Sequence, residues 1–177
     1  MKVFKEEQRF NQWWLIALFV LVYAKIGYDL VLLFKDNTKV NTDALTALIF
    51  SGVIIILVTI LIFSITLKIR IDEKGVSYKF YPFHFKAKNI PWNRLEECSV
   101  RKYSPILEYG GWGLRGMVRL KLFGIGEKGR AYNIKGNIGI QMVLKDGSKI
   151  LLGTQKMGQA KDVIKNYSYN LAKRKTN

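Results

Sequence analysis

The sequence has very few of the side chains that usually build disulfides, metal centres or covalent catalytic sites. Its 177 residues contain one cysteine, Cys98, and one histidine, His84. A single cysteine excludes an intramolecular disulfide, and a single histidine excludes a metal site with paired imidazoles. Because no nucleophile, base and acid can be assembled around them, we expect a protein that is not an enzyme, with no cofactor and no metal.

Acidic residues are scarce as well. The chain has 13 Asp and Glu against 29 Lys and Arg, and residues 68–177 alone hold 23 basic and 8 acidic residues. An excess of this size is typical of proteins that meet nucleic acid or an anionic membrane surface.

Long apolar runs are present, and they are confined to the N-terminal part of the chain. Residues 13–34 and 44–67 are two such runs, and as helices each would be 33 Å or more in length, at about 1.5 Å per residue. Helices of this length cross a bilayer, so the sequence predicts a transmembrane hairpin with a short outer loop at 35–43. Lys25 and Asp29 interrupt the first span four residues apart, where they can form an intramembrane ion pair.

The basic residues around the two runs predict the orientation of the hairpin. Lys2, Lys5 and Arg9 lie in residues 1–12, and the basic region 68–88 follows the second run. By the positive-inside rule we expect a cytoplasmic tail at 1–12 and a cytoplasmic domain at 68–177, in a multi-pass protein of the inner cell membrane. The alternative is a signal peptide cleaved after Ala24. The apolar run argues against this cleavage because it continues to Phe34.

From Leu67 onward the apolar residues alternate with polar ones, which is typical of β-strands. The predicted strands are Leu67–Ile71, Val76–Phe80, Phe83–Lys88, Leu95–Tyr103, Met117–Phe123, Ile138–Leu144 and Lys149–Leu152. Ala160, Val163, Ile164, Tyr167 and Leu171 then follow at helical spacing and predict an amphipathic C-terminal helix. The sequence therefore predicts a membrane-anchored α+β protein with a seven-stranded antiparallel sandwich or barrel capped by a helix.

Several segments of this region resemble bacterial PH-like (pleckstrin-homology-like) domain proteins that carry two N-terminal transmembrane helices. The matching residues are Ile90-Pro91-Trp92, the stretch from Tyr103 to Arg115, Ala131 to Asn137, and Leu152 to Lys156. The resemblance implies a PH-like fold and a membrane location, and it implies no particular ligand or reaction.

Glycine-rich segments supply the candidate binding site. Gly111–Gly116 and Gly124–Gly129 both fit the pattern G-x-G-x-x-G, but neither is followed by a predicted helix, which disfavours nucleotide binding. The glycines serve either tight backbone turns or an anion-binding loop of exposed amides. The candidate residues for such a loop are Gly110, Gly111, Trp112, Gly113, Arg115, Lys135, Asn137 and Gln155.

These features together favour a membrane-tethered interaction module that binds a protein partner or anionic lipid headgroups. The alternative is an accessory subunit of a transporter or envelope complex, assembled through its transmembrane helices. The expected partners are the lipid bilayer, anionic lipids and a membrane protein, whereas the membrane tether argues against nucleic acid.

Overall fold

A computed structural model describes residues 2–35, 42–115 and 129–175, with side chains described as far as residue 168. These residues form two compact units, one of residues 10–65 and one that combines residues 1–9 with residues 66–177. The predicted strand Met117–Phe123 lies outside the described residues.

The first unit consists of two apolar helices, α1 (Trp13–Lys35) and α2 (Thr42–Ser64). Hydroxyl side chains of α2 donate hydrogen bonds to backbone carbonyls of the preceding turn, as Thr59 does to Ile55, which removes their polarity from the surface. The Tyr23 hydroxyl lies 2.8 Å from that of Thr59 and joins the helices. Both helices are long and apolar enough to cross a membrane, and almost none of their residues are fully buried in the structure.

The second unit begins with a sheet that sequence analysis did not foresee in full. This first sheet has the order β1-β2-β3-β4, formed by β1 (Phe4–Arg9), β2 (Thr66–Asp72), β3 (Gly75–Tyr81) and β4 (Lys88–Ile90). All its strands are antiparallel, with Phe4 opposite Ile71 and Arg9 opposite Thr66. Residues 4–9, expected to be part of a tail, are thus an edge strand paired with the strand that follows α2.

The hairpin of β2 and β3 follows directly from the sequence pattern. Leu67, Ile69 and Ile71 alternate with exposed polar residues and are buried. The Asp72 carboxylate accepts a hydrogen bond from the Lys74 amide, and Gly75 adopts a φ of 137°. A Cβ at Gly75 would meet the Ile90 carbonyl oxygen at 2.2 Å, so this turn requires glycine.

Two predicted boundaries of this region are corrected by the structure. The second apolar helix ends at Ser64 instead of Leu67, because Leu67 is fully buried in the first sheet. Residues 83–87 form turns and bends instead of a strand, since the His84 amide donates to the Phe80 carbonyl and turns the chain back.

The second sheet has the order β5-β8-β9-β7-β6 among the described residues. Its strands are β5 (Leu95–Lys102), β6 (Gly113–Arg115), β7 (Arg130–Asn133), β8 (Ile138–Leu144) and β9 (Lys149–Gly153). The β7 and β9 pair is parallel, and the other pairs are antiparallel. The described part of the chain therefore has nine strands in two sheets that form no closed barrel, where seven antiparallel strands were expected.

The core of the second unit lies between the two sheets and one helix. Tyr78 and Phe80 of β3 contact the ring of Tyr132 in β7 at centroid distances of 5.0 and 5.8 Å. Helix α4 (Met157–Lys175) packs against strands of both sheets and buries Ala160, Val163 and Ile164. A short helix α3 (Pro105–Tyr109) links β5 to β6. The expected amphipathic C-terminal helix is confirmed.

A buried carboxylate fastens β1 to the start of α4. Glu6 points inward, where one of its oxygens accepts from the Thr154 hydroxyl and the other accepts from the Gln155 amide at 2.8 Å and from the Gln8 side chain at 2.9 Å. The Gln8 amide group also donates to the Gly153 carbonyl at 2.7 Å. Because a buried charge needs this number of donors, the N-terminal strand is an integral part of the β unit.

This arrangement predicts that residues 66–177 do not fold alone. Without β1, the edge of β2 is open, and the donors of Thr154 and Gln155 lose their acceptor. The burial of Phe4, which by itself stabilises the fold by about 1.5–3 kcal/mol, is also lost. We expect residues 66–177 to aggregate, whereas a chain that joins Arg9 to Thr66 through a short glycine-containing turn is monomeric and folded. Size-exclusion chromatography and circular dichroism compare the two chains, and equal solubility and melting temperature would contradict the prediction.

Candidate functional site

The outer face of the first sheet carries a field of basic side chains. Alternation places Lys5, Glu7 and Arg9 of β1 outward while their neighbours point into the core. The antiparallel register places Lys5 beside Arg70 and then Ser77, and places Glu7 beside Lys68 and then Lys79. The face is therefore polar across three strands, as expected for a sheet that buries only one side.

A groove of about 400 Å³ runs over this face. Its lining comes from the first three strands, from the connection after β3 and from the segment before α4. These residues are Lys5, Glu6, Glu7, Lys68, Ile69, Arg70, Ser77, Tyr78, Lys79, Ala87 and Lys156. We call this feature the basic groove, because five of its lining residues are Lys or Arg and two are Glu.

Some of these charges already have partners. Glu7 lies 2.6 Å from Arg9 and 3.0 Å from Lys68, and hydrogen bonds from Arg9 and then Lys68 lower the pKa of its carboxyl. Arg70 lies 2.7 Å from Asp72. Burial alone would raise the pKa of Asp72, but hydrogen bonds from Arg70 and the Lys74 amide outweigh it and lower the pKa. Both carboxylates thus remain ionised at neutral pH.

Three lysines of the basic groove remain without an acidic partner. The ammonium groups of Lys5, Lys79 and Lys156 have no carboxylate within ion-pair distance among the described residues. The nearest aromatic contact of Lys79 is Tyr81, at 6.0 Å from the ring centroid. Cations that converge on a concave surface favour a phosphate or carboxylate ligand.

The Glu6 contacts assemble this groove from distant parts of the sequence. Glu6 holds β1, which carries Lys5, against Thr154 and Gln155, which immediately precede Lys156. Sequence reasoning missed these lysines because their proximity depends on strand register and on a buried Glu6. The alternation of Lys68 and Arg70 on one strand face was the local signal in the sequence for a basic surface.

The glycines of the predicted glycine-rich loop have positive φ angles and make hydrogen bonds within the fold. Gly110, Gly111 and Gly113 have φ angles of 72°, 120° and 106°, values that favour glycine. Their amides donate to the carbonyls of Ile106 and Pro105 and to the Asn133 side chain. These three amides therefore already have acceptors within the fold.

The other candidate residues of this loop do come together. The Trp112 indole donates to the Gly136 carbonyl at 3.1 Å, and the Gln155 amide group donates to the Lys135 carbonyl at 2.8 Å. The Asn137 carbonyl accepts from the Tyr103 amide at 2.9 Å. These hydrogen bonds all have backbone carbonyls of residues 135–137 as their acceptors. Separately, the side chain of Arg115 donates to the carbonyl of Trp112.

The two candidate residues of the first apolar run also form the expected pair. Lys25 Nζ lies 2.6 Å from each carboxylate oxygen of Asp29 along one face of α1.

Cys98 and His84 both lie in environments that favour their neutral forms. Burial, followed by the Glu97 charge, raises the pKa of Cys98 to about 12, so its thiol is protonated at neutral pH. Burial, followed by the charges of Lys88 and Arg130, lowers the pKa of His84. The His84 ring packs against Tyr78 and Tyr132, with centroids 5.7 and 5.3 Å away.

The chain matches no protein-family model, no curated protein and no solved structure at a significant level.

The environment of His84 predicts a loss of stability in mild acid. Because the folded state lowers the pKa of His84 below 6.5, the unfolded chain binds its proton first, and stability is lost as the pH falls from 6.5 toward the folded pKa. We expect the melting temperature of the full chain in detergent to fall between pH 8 and pH 5.5, and to fall less in His84→Phe, which keeps a ring without the titration. Equal falls in both proteins would contradict this assignment.

Proposed function

We propose that this chain is a membrane-anchored, non-enzymatic binding protein whose β unit binds anionic lipid headgroups through the basic groove. Helices α1 and α2 form the anchor in the cell membrane, and both chain termini are cytoplasmic. The observation that carries the proposal is that Lys5, Lys79 and Lys156 line one groove and have no carboxylate partner in the part of the chain that the structure describes.

The anchor is supported by the length and exposure of the two helices. Each has 23 residues and would be about 35 Å long, which matches a bilayer core. Large apolar side chains such as Leu21 and Phe50 are each 68% exposed. A soluble protein buries such residues, whereas a bilayer is a favourable solvent for them.

The register of the first sheet supports the placement of both termini on one side. Arg9 precedes α1 and Thr66 follows α2, yet the two residues are opposite one another in adjacent strands. A hairpin that crosses the membrane twice returns the chain to the same side, which satisfies this pairing. The basic residues near both ends favour the cytoplasmic side.

The layout of the β unit supports a PH-like domain in outline. Two packed sheets followed by a C-terminal helix are the main features of the PH plan, and both are present. The nine described strands and the parallel pairing of β7 with β9 depart from a simple seven-stranded version. The PH-like assignment is a proposal that rests on this layout and on the sequence resemblance.

We favour lipid over other anions as the ligand because of where the groove lies along the strands. Lys68 and Lys79 are each two residues, or about 7 Å, from Thr66 and Tyr81, at the end of the sheet where the chain leaves for the helices. Headgroups are therefore within reach of the groove. Each lysine near an anionic surface contributes about 1 kcal/mol.

The test measures lipid binding by the full chain in detergent with a matched change of charge. Native mass spectrometry follows the titration of phosphatidylglycerol against phosphatidylcholine. We expect the triple variant Lys5→Gln, Lys79→Gln, Lys156→Gln to bind phosphatidylglycerol about 100-fold more weakly, because about 3 kcal/mol is removed. The control variant Lys74→Gln, Lys145→Gln, Lys161→Gln loses the same charge elsewhere and should bind as the wild type does.

Three outcomes of this titration would contradict the proposal. An equal loss of phosphatidylglycerol binding in both triple variants would show that binding depends on net charge and not on the groove. No preference for phosphatidylglycerol at low salt would remove the lipid ligand, and displacement of the lipid by an acidic peptide alone would favour a protein partner.

A second function is favoured by the ion pair on α1. The side chains of Lys25 and Asp29 are 69% and 35% exposed, so the Lys25 end of the pair is largely exposed on the surface of α1. An ion pair that faces lipid is costly, and a helix of another membrane protein that covers it would lower this cost. The chain would then be an accessory subunit of a transporter or envelope complex.

The double variant Lys25→Leu, Asp29→Leu tests this second function. If α1 contacts another subunit through the pair, partners recovered with the purified full chain should be lost in the double variant and kept in the triple lysine variant of the groove. Retention of all partners by the double variant would count against the subunit function.

A further inference from the structure

The connection between β3 and β4 exposes a cluster of aromatic side chains. This connection, residues 81–87 with the sequence YPFHFKA, is called the aromatic loop below. Phe83 is 51% exposed and Phe85 is 79% exposed, and Tyr81 beside them is also exposed. Two exposed phenylalanines in one short loop are unfavourable in water and indicate a contact surface.

The aromatic loop is held in one conformation by contacts on its inner side. The Phe83 ring stacks on the buried Phe80 ring at 5.8 Å, and the His84 amide donates to the Phe80 carbonyl at 2.8 Å. The His84 ring packs against the rings of both Tyr78 and Tyr132, which also contact one another. Because the loop is already ordered, presenting Phe85 to a partner costs little conformational entropy.

The register of the first sheet places this loop at the end that leads to both apolar helices. Tyr81 lies opposite Thr66, and Thr66 lies opposite Arg9. Four residues after Arg9 the chain reaches Trp13, at the start of α1, and an extended segment of four residues spans at most about 14 Å. Since Trp is typical of the membrane interface, this short connection limits how far the start of the aromatic loop can lie from the interface if α1 crosses the bilayer.

The charges around the loop fit an anionic lipid surface. Lys79, Lys86 and Lys88 flank the aromatic side chains, and residues 76–95 contain no Asp or Glu. Lys86 and Lys88 are exposed. Aromatic residues among lysines are the composition of segments that insert shallowly into the interface, with the rings below the headgroups and the ammonium groups at the phosphates.

We infer that the aromatic loop is a third membrane contact, which inserts Phe83 and Phe85 into the interface of the leaflet from which α1 and α2 emerge. Its partner is the phospholipid interface itself, with Lys86 and Lys88 at the phosphates. The contact would fix the orientation of the first sheet and hold the basic groove beside the headgroups. The inference depends on the membrane anchor of the proposed function and is independent of what the groove binds.

Spin labels on the full chain in lipid nanodiscs that contain phosphatidylglycerol test the inference. In a Cys98→Ala background, single labels are attached at Phe85→Cys, at Lys74→Cys and at Ile56→Cys. Lys74 lies in the turn at the opposite end of β2 and β3 and is the aqueous control, whereas Ile56 lies within α2 and is the control for the anchor. The collision rates of each label with oxygen and with a water-soluble nickel complex report its depth.

We expect the label at 85 to be exposed to oxygen and protected from nickel, at a depth between those of the labels at 56 and 74. A label at 85 as accessible to nickel as the label at 74, with the label at 56 deep, would overturn the loop inference and leave the anchor intact. Protection of the label at 85 from both reagents would indicate a protein partner or a second copy and would also overturn it. A label at 56 that is accessible to nickel would overturn the anchor itself.

Discussion

The pairing of β1 with β2 is the constraint on which the rest of the structure depends. It joins residues 4–9 to residues 66–72 across an apolar helical hairpin, so the hairpin is an insertion within a β-ribbon. Glu6 strengthens the pairing because its buried carboxylate accepts three hydrogen bonds, two of them from Thr154 and Gln155 near the other end of the chain. A buried carboxylate without these donors would be strongly destabilising, which makes the N-terminal strand and the start of α4 depend on one another.

This constraint brings the basic groove and the aromatic loop to one sheet. The outward residues of β1 and β2 build the basic groove, and the same contacts bring Lys156 to it. The register that sets Arg9 opposite Thr66 also sets Tyr81 at the same end, where the aromatic loop begins. The position of the basic groove and the position of the aromatic loop therefore both depend on a single strand pairing.

Much of this fold could be predicted from the sequence, but the site could not. Strong alternation predicted the strands around Leu67 and Ile140, and helical spacing predicted α4. The strand β1 was missed because two of its three inward residues, Glu6 and Gln8, are polar and resemble a solvated tail. The segment at Phe83 resembled a strand by its aromatic content, yet the His84 amide donates to the Phe80 carbonyl and turns the chain, and the His84 ring packs on Tyr132. The groove depends on register between segments far apart in sequence, which local patterns do not encode.

The measurement that tests this account most directly is a cross-link between β1 and β2 in the full chain embedded in lipid. In a Cys98→Ala background, cysteines at Glu7 and Lys68 occupy opposite positions, where Cβ atoms are about 5 Å apart. A thiol cross-linker of similar length should join nearly all molecules internally, as shown by linked peptides in mass spectrometry, whereas a pair at Glu7 and Lys74 should remain unjoined. Equal yields for the two pairs, or no internal link at Glu7 and Lys68, would contradict the β-ribbon and the groove and loop positions that depend on it.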